Sequence, residues 1–393
     1  MRAPLRFDWP FISVIGALCV LLVSCVRERS AYYNLEHRGE RLTKELSELE
    51  ADTIYCPGAM SSLSGQWLLC DSGLVFLDHF SVGIKHYSLD GRFICEKIKE
   101  GRGPGEVTGT SWASAWDNER KHLVVNDKNL FIQVFDDRDS LLSYQRETWI
   151  MQMDEKVDTS KWKDRLLSPD LLDPQVYDYN FECERVCSFD GVFYVPVIIE
   201  HPKLNGYDKS ATSKRYWKDA RVLLSFVPGS VAETKKLLGR YPPVYHSKNI
   251  PVFATYDFFV QNDRIHVSFA ADPNIYVLDL DGNPLYSYGV GEDRISLSFP
   301  QTRSFEEYEY TFKSQRETHG HYCRLASAGG HVFRTCFTDE GKWILQVYDG
   351  NYLVSTFDCH DDIKIIGASD GWIYADAGAD FRNEYFRIIR FRI

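Results

Sequence analysis

The sequence predicts an all-β fold, a six-bladed β-propeller of four-stranded antiparallel blades whose ring is closed by a strand from the N-terminal side. Three observations predict it. The first is a cassette of β-rich run, acidic or Gly turn, and second β-rich run. It reads His86-Tyr87-Ser88-Leu89-Asp90-Gly91-Arg92-Phe93-Ile94 on first appearance. It returns around Asp136-Asp137, around Asp279-Leu280-Asp281-Gly282, and around Asp349-Gly350. A strand–turn–strand unit repeated at tens of residues is the signature of blades that bury their faces only against neighbours. The second observation is composition: 14% aromatic residues, with 23 Tyr and 24 Phe, suit pleated, half-buried strands. The third lies at the C-terminus, where 363–393 offers only three strand-like runs. Thr53-Ile54-Tyr55-Cys56, upstream of the first cassette, is the natural fourth strand that removes the open edge.

The blades follow in order. Blade one covers about 60–100, with the apolar run Leu74-Val75-Phe76-Leu77 read as an inner strand, and blade two covers 111–148 with His122-Leu123-Val124-Val125 as the corresponding run. Blade three begins at Val186 and resumes at Arg221 after an insertion. Blade four is 255–289, blade five 323–358, and the last blade 363–393. Segments near 149–182, 201–220 and 292–320 break the rhythm. Insertions in a repeat protein map to loops, often on the binding face. Their aromatic residues Trp149, Trp162, Tyr177, Tyr179 and Trp217 are therefore candidate contacts for a sugar or a partner side chain. The competing reading is that they pack the loops onto the propeller.

The first 24 residues read as an export signal. Arg2 and Arg6 precede an apolar run, Phe11 to Val23, that is too short for a confident membrane span. Its end, Leu22-Val23-Ser24-Cys25, resembles the bacterial lipobox. That resemblance implies acylation of Cys25, which would anchor the mature protein to a membrane without spanning it. Residues 25–51, charged and helix-compatible, then read as a lipid-anchored stalk, and 52–393 as the propeller. Val26-Arg27-Glu28-Arg29 lacks the acidic run resembling a surface-export signal, so the expected address is the periplasmic face of the outer membrane. A formal net charge of −11 argues against nucleic-acid binding, which needs clustered cations for phosphate contacts. Beyond Cys19 and Cys25 there are eight cysteines, too few for a disulfide scaffold. Cys183 and Cys187 are close enough to pair if the backbone turns between them.

Lys99-Glu100-Gly101-Arg102-Gly103-Pro104-Gly105-Glu106-Val107, directly after the first Asp-Gly hairpin, resembles the GxGPGE signature of six-bladed propeller lipoproteins of Bacteroidetes, a TolB-like and NHL-like class. The resemblance covers most of the chain after residue 52. It implies fold and envelope location, and carries over no catalytic residues. Physically, the three glycines permit positive φ, Pro104 stiffens the connection, and Glu106 can accept N–H bonds in the turn. A phosphate cradle would need a following helix, which the sequence does not offer.

Two runs carry possible chemistry. In an extended strand His319, His321 and Cys323 would face one way and could converge on a divalent cation such as zinc. No fourth ligand is identifiable, so no cofactor is expected. Asp358, His360, Asp361 and Asp362 cluster between blades five and six, where they would either face the channel or form a solvated loop. Asp279-Leu280-Asp281-Gly282-Asn283 begins like a calcium loop, but Val290 stands where the bidentate Glu belongs, so the hairpin reading holds. Neither G-x-S-x-G nor H-E-x-x-H occurs. The expected function is a noncatalytic binding or scaffold module for an envelope protein or glycan. The alternatives are a channel-site hydrolase or lyase acting on a sugar or lactone, and a small-ligand sensor or carrier.

Overall fold

In a computed structural model, the described residues are 235–393 and, before them, 32–227 apart from 33–34, 43–45, 59–60, 72, 82, 100, 102–105, 107–110, 117–121, 127–130, 137–139, 147–167, 181, 184, 200, 202–203 and 208–210. Three strands precede the first sheet: β1 (Glu40–Arg41), β2 (Leu46–Glu48) and β3 (Asp52–Pro57). β4 to β7 are Gly65–Cys70, Gly73–Asp78, Gly83–Tyr87 and Phe93–Lys99, and β8 to β11 are Ser111–Trp116, His122–Asn126, Phe131–Phe135 and Leu141–Arg146. A short β12 (Asp178–Tyr179) precedes β13 to β16, which are Cys187–Phe189, Val192–Ile198, Leu223–Phe226 and Lys236–Leu238. β17 to β20 are Tyr256–Gln261, Arg264–Phe269, Ile275–Leu278 and Pro284–Tyr288. β21 to β24 are His321–Ala328, His331–Phe337, Trp343–Asp349 and Tyr352–Cys359. Lys364–Ser369, Trp372–Asp380 and Tyr385–Phe391 form β25 to β27.

Each consecutive set pairs antiparallel in chain order, and β3 pairs with β27 to make β25-β26-β27-β3 a four-stranded sheet. The fold is thus an all-β propeller of four-stranded antiparallel blades. The first strands contact one another in sequence, β4 with β8, β8 with β13, β13 with β17, β17 with β21 and β21 with β25, and the cycle returns from β25 to β4. These strands line the axis.

The recurrent cassettes are the hairpins between third and fourth strands: β6–β7, β10–β11, β19–β20 and β23–β24. At the first, Gly91 takes φ +86° and its N–H bonds to Ser88 O at 2.9 Å, closing the turn. At the third, the Asp279 carboxylate accepts from the N–H groups of Asp281 and Asn283 at 3.0 and 2.8 Å. That side chain therefore supports a hairpin. Of the glycine-rich turn after β7, Gly101 and Glu106 are described. The Glu106 carboxylate folds back against Gly101, where a Cβ would displace it.

The apolar runs legible in the sequence are second strands. β5 is buried along its whole length and β14 over Phe193–Val197, because a second strand is covered by blades on both faces. Leu74–Leu77 accordingly lies inside its sheet, in β5, one strand outward of the channel-lining β4.

The 25–51 segment departs from a helix-compatible stalk in the part described. Tyr32 is buried against Tyr276, with ring centroids 4.7 Å apart. His37 bridges Ser287, and β1 and β2 pair in parallel with β24. The segment therefore runs along outer edges of two sheets and covers part of each, which an isolated charged helix would leave open. Of the insertions, 201–220 contains α1 (Ala211–Asp219); a short α2 (Pro243–Ser247) follows β16, and α3 (Phe305–Thr318) fills much of 292–320. No helix among the described residues is long and apolar enough to cross a membrane. Cys25, Trp149 and Trp162 lie outside the described residues.

Candidate functional site

One cavity of about 110 Å³ is bounded by residues from five first strands or their lead-ins, and so lies on the axis. Gln66 comes from β4, Arg185 from just before β13, Asp257 from β17, Arg324 from β21 and Lys364 from β25. His79 follows β5, and Asp376 reaches in from β26 as the cross-strand partner of Lys364. The lining sets three basic side chains beside two carboxyl groups.

Asp257 is the fixed point. Its two oxygens receive Arg185 Nε at 2.6 Å and the Arg185 terminal nitrogen Nη2 at 3.2 Å. They also accept the N–H groups of Phe258 and Leu325, each at 2.8 Å. One buried carboxylate thereby ties together the starts of three blades, and its lone pairs are largely committed. Burial lowers the Arg185 pKa, but the adjacent Asp257 outweighs it and the net shift is upward. Gln66 makes a reciprocal amide pair with Ser114 across β4 and β8, both bonds 2.9 Å. Asp78, at the end of β5, accepts from Ser61, Ser62, Phe80 and Ser81, which fixes the loop carrying His79.

Asp376 differs from Asp257. Desolvation raises its pKa above the ordinary carboxylate range, with Asp362 adding to the rise and Gly378 N–H, Lys364 and Arg324 opposing it. A carboxyl so placed holds its proton to higher pH than a solvated one. The site thus combines a locked carboxylate, a proton-retaining carboxyl with Asp362 near it, and three basic side chains.

The sequence-derived candidates are placed elsewhere. Tyr177, Tyr179 and Trp217 are all buried in the largest core cluster. The Tyr177 hydroxyl donates to Leu171 O and accepts from Arg221 N–H, while Trp217 Nε1 donates to Asn249 Oδ1. These three pack the insertions onto the propeller and present no exposed ring to a ligand. His319, His321 and Cys323 do not converge. His319 caps α3, and β21 shifts register between Tyr322 and Leu325, breaking the alternation on which the shared face depended. His321 is buried between Phe253 and Phe337, and desolvation pushes its pKa down to about 3. Cys323 donates to His321 O at 3.6 Å, and burial pushes its thiol up to about 12. Among the described residues no group of three or more His, Cys, Asp or Glu side chains is gathered closely enough to hold a metal ion.

The acidic run between β24 and β25 lines a separate cleft of about 330 Å³, with Glu48, Asp358, His360, Asp361 and Arg387 on its walls. Asp361 pairs with Arg387 at 3.0 Å and Asp358 with Arg294 at 3.2 Å. Cys183 and Cys187 are separate thiols.

Sequence reasoning missed the channel residues because they are drawn from five separate sheets. The available signal was positional: a polar side chain in the strand preceding each apolar run, as at Gln66, Asp257 and Arg324.

No family model matches the chain, and no curated protein matches it. Among solved structures, a member of the DUF4221 family from Bacteroides vulgatus is similar over 88% of this chain and 98% of its own, at 12% identity and a TM-score of 0.61. A putative exported protein from Bacteroides fragilis is similar over 91% and 98%, at 11% identity and a TM-score of 0.51. At these identities the likeness shows the fold alone. It supports a propeller without assigning the TolB-like or NHL-like class. A calcium-binding protein, regucalcin, from Agrobacterium tumefaciens covers 89% and 98% at 10% identity, and its TM-score of 0.42 is too low to carry an argument.

Proposed function

We propose that this chain is a six-bladed, lipid-anchored envelope propeller that binds an acidic group, without turnover, in its axial cavity. The ligand is a small organic acid, or an acidic sugar at the end of an envelope polymer. One observation carries the binding reading: Arg185, Arg324 and Lys364 converge around a cavity whose best-placed carboxylate, Asp257, is already hydrogen-bonded on both oxygens. A carboxylate with its lone pairs committed is poorly placed to take a substrate proton. The six-blade count rests on the six sheets of the described strands and the returning cycle of first strands.

Cys25 after Leu22-Val23-Ser24 supports the lipid anchor and, with it, an outer-membrane address facing the periplasm. In bacterial cells fed a clickable palmitate analogue, the wild-type chain is expected to be labelled and Cys25→Ala unlabelled. Equal labelling of both would remove the anchor from this account.

A specific observation favours a second reading, a hydrolase or lyase acting on a sugar or lactone. The raised Asp376 carboxyl is a plausible proton donor beside Lys364. Titration of the full chain with glucuronate, with recovery of the sugar acid by mass spectrometry, separates the readings. Binding predicts saturable thermal stabilisation, lost in Lys364→Gln, with the acid recovered intact. Turnover abolished by Asp376→Asn would replace binding with catalysis.

A further inference from the structure

Outside the channel, the end of the β15–β16 ladder brings two arginines together with no ion-pair partner among the described residues. The register pairs Leu223 with Leu238, Leu224 with Leu237 and Ser225 with Lys236. Beyond Leu223 the register slips, since Val222 N–H bonds to Leu238 O at 3.2 Å and not to Gly239. Arg221 and Arg240 therefore sit at neighbouring strand ends, just past the ladder. Gly239, at φ +61°, then turns the chain.

Both backbones are pinned from behind. Arg221 N–H donates to the Tyr177 hydroxyl and Arg240 N–H to the Tyr32 hydroxyl, each at 3.0 Å. Like charges brought close at a partly buried site repel. The side chains stay half-buried, and among the described residues neither forms an ion pair. Nε of each is buried with no hydrogen-bond partner, which costs free energy unless a ligand supplies an acceptor. Burial first, and Arg240 second, lower the Arg221 pKa, with Asp219 only a minor opposing influence.

We propose that Arg221 and Arg240 form a binding site for a phosphate or phosphate ester. Two guanidinium forks on neighbouring strand ends suit a phosphate, whose three or four oxygens are spread over a tetrahedron and can be met bidentately from two directions, whereas a carboxylate presents its acceptors in one plane. The ester can come from a lipid headgroup or from a soluble phosphate. The lipid source alone rests on the anchor reading. Tyr32 lies seven positions after Cys25, so a fully extended backbone would span at most roughly 25 Å from the acylated residue to Tyr32, whose hydroxyl meets Arg240 N–H.

The test uses the full chain carrying Cys25→Ser, so that acylation itself brings nothing to vesicles. Sodium phosphate, compared with sodium chloride at equal ionic strength, is expected to raise the melting temperature by several degrees. Arg221→Gln and Arg240→Gln are expected to abolish that rise. In phosphate-free buffer they should melt at or above the parent temperature, because the like-charge opposition is relieved. Flotation with phosphatidylglycerol vesicles but not phosphatidylcholine vesicles, lost in Arg240→Gln, would assign a lipid source. A phosphate response without flotation would assign a soluble ester. The Lys364→Gln channel variant should respond to phosphate like its parent, which separates this site from the axial one. A missing phosphate response, a response unchanged in both arginine variants, or lower phosphate-free melting of those variants would overturn the proposal.

Discussion

Deleting residues 387–393 is expected to abolish cooperative folding. This removes most of β27, which lies between β26 and β3 and pairs Arg387 with Tyr55, Ile388 with Ile54 and Ile389 with Thr53. Ile388 and Phe391 are buried, and the apolar burial they contribute is worth about 1.5–3 kcal/mol each. Their loss comes with most of the pairing that holds β3 to the last blade, only Tyr385 and Phe386 remaining opposite Pro57 and Cys56, against a typical total stability of about 5–15 kcal/mol. The truncation also leaves β26 and β3 as open edges inviting aggregation. A chain lacking only Ile393, which is exposed, is the control and should unfold like the full-length protein. Denaturant unfolding followed by tryptophan fluorescence checks this. A truncated protein with an unchanged midpoint would show that the β27–β3 pairing does not hold the ring.

The largest single-residue effect is expected at Arg334, which is fully buried. Its guanidinium donates to Pro273 O at 2.6 Å, Val290 O at 2.7 Å, the Tyr348 hydroxyl at 2.9 Å, and Gln346 Oε1 at 2.9 and 2.7 Å. It also lies 4.2 Å from the Tyr322 ring centroid. It therefore joins the loops before β19 and after β20 to the middle of the next blade. Arg334→Ala would leave several acceptors without this donor and open a large cavity, at about 3–5 kcal/mol. Arg334→Lys should recover only part of that loss, since an ammonium cannot reproduce the planar fork. Urea midpoints for the pair provide the check; a loss below about 1 kcal/mol for Arg334→Ala would mean that solvent or repacking satisfies these groups.

The propeller was legible in the sequence because its outer hairpins use Asp and Gly at turns such as Asp90-Gly91 and Asp279–Asn283, and because second strands such as Leu74–Leu77 are apolar without interruption. The closing strand was legible because Thr53–Cys56 stood unclaimed beside a blade one strand short. The N-terminal segment was misread since local charge suggested a helix, whereas its strands are set by long-range pairing with β24. Tyr177 and Trp217 looked like ligand contacts because aromatic content alone does not distinguish a loop's packing side from its exposed side. The channel set was invisible for a different reason. Arg185, Asp257, Arg324 and Lys364 meet only after five blades have closed around the axis, and no local motif encodes that meeting.

The most direct test of the binding account is the glucuronate titration of the full chain beside Lys364→Gln, read by calorimetry with mass analysis of the recovered sugar acid. The account predicts saturable binding to the wild-type protein, at least tenfold weaker binding to the variant, and an intact ligand. Indistinguishable titrations for the two proteins, or a sugar acid consumed during the experiment, would contradict it.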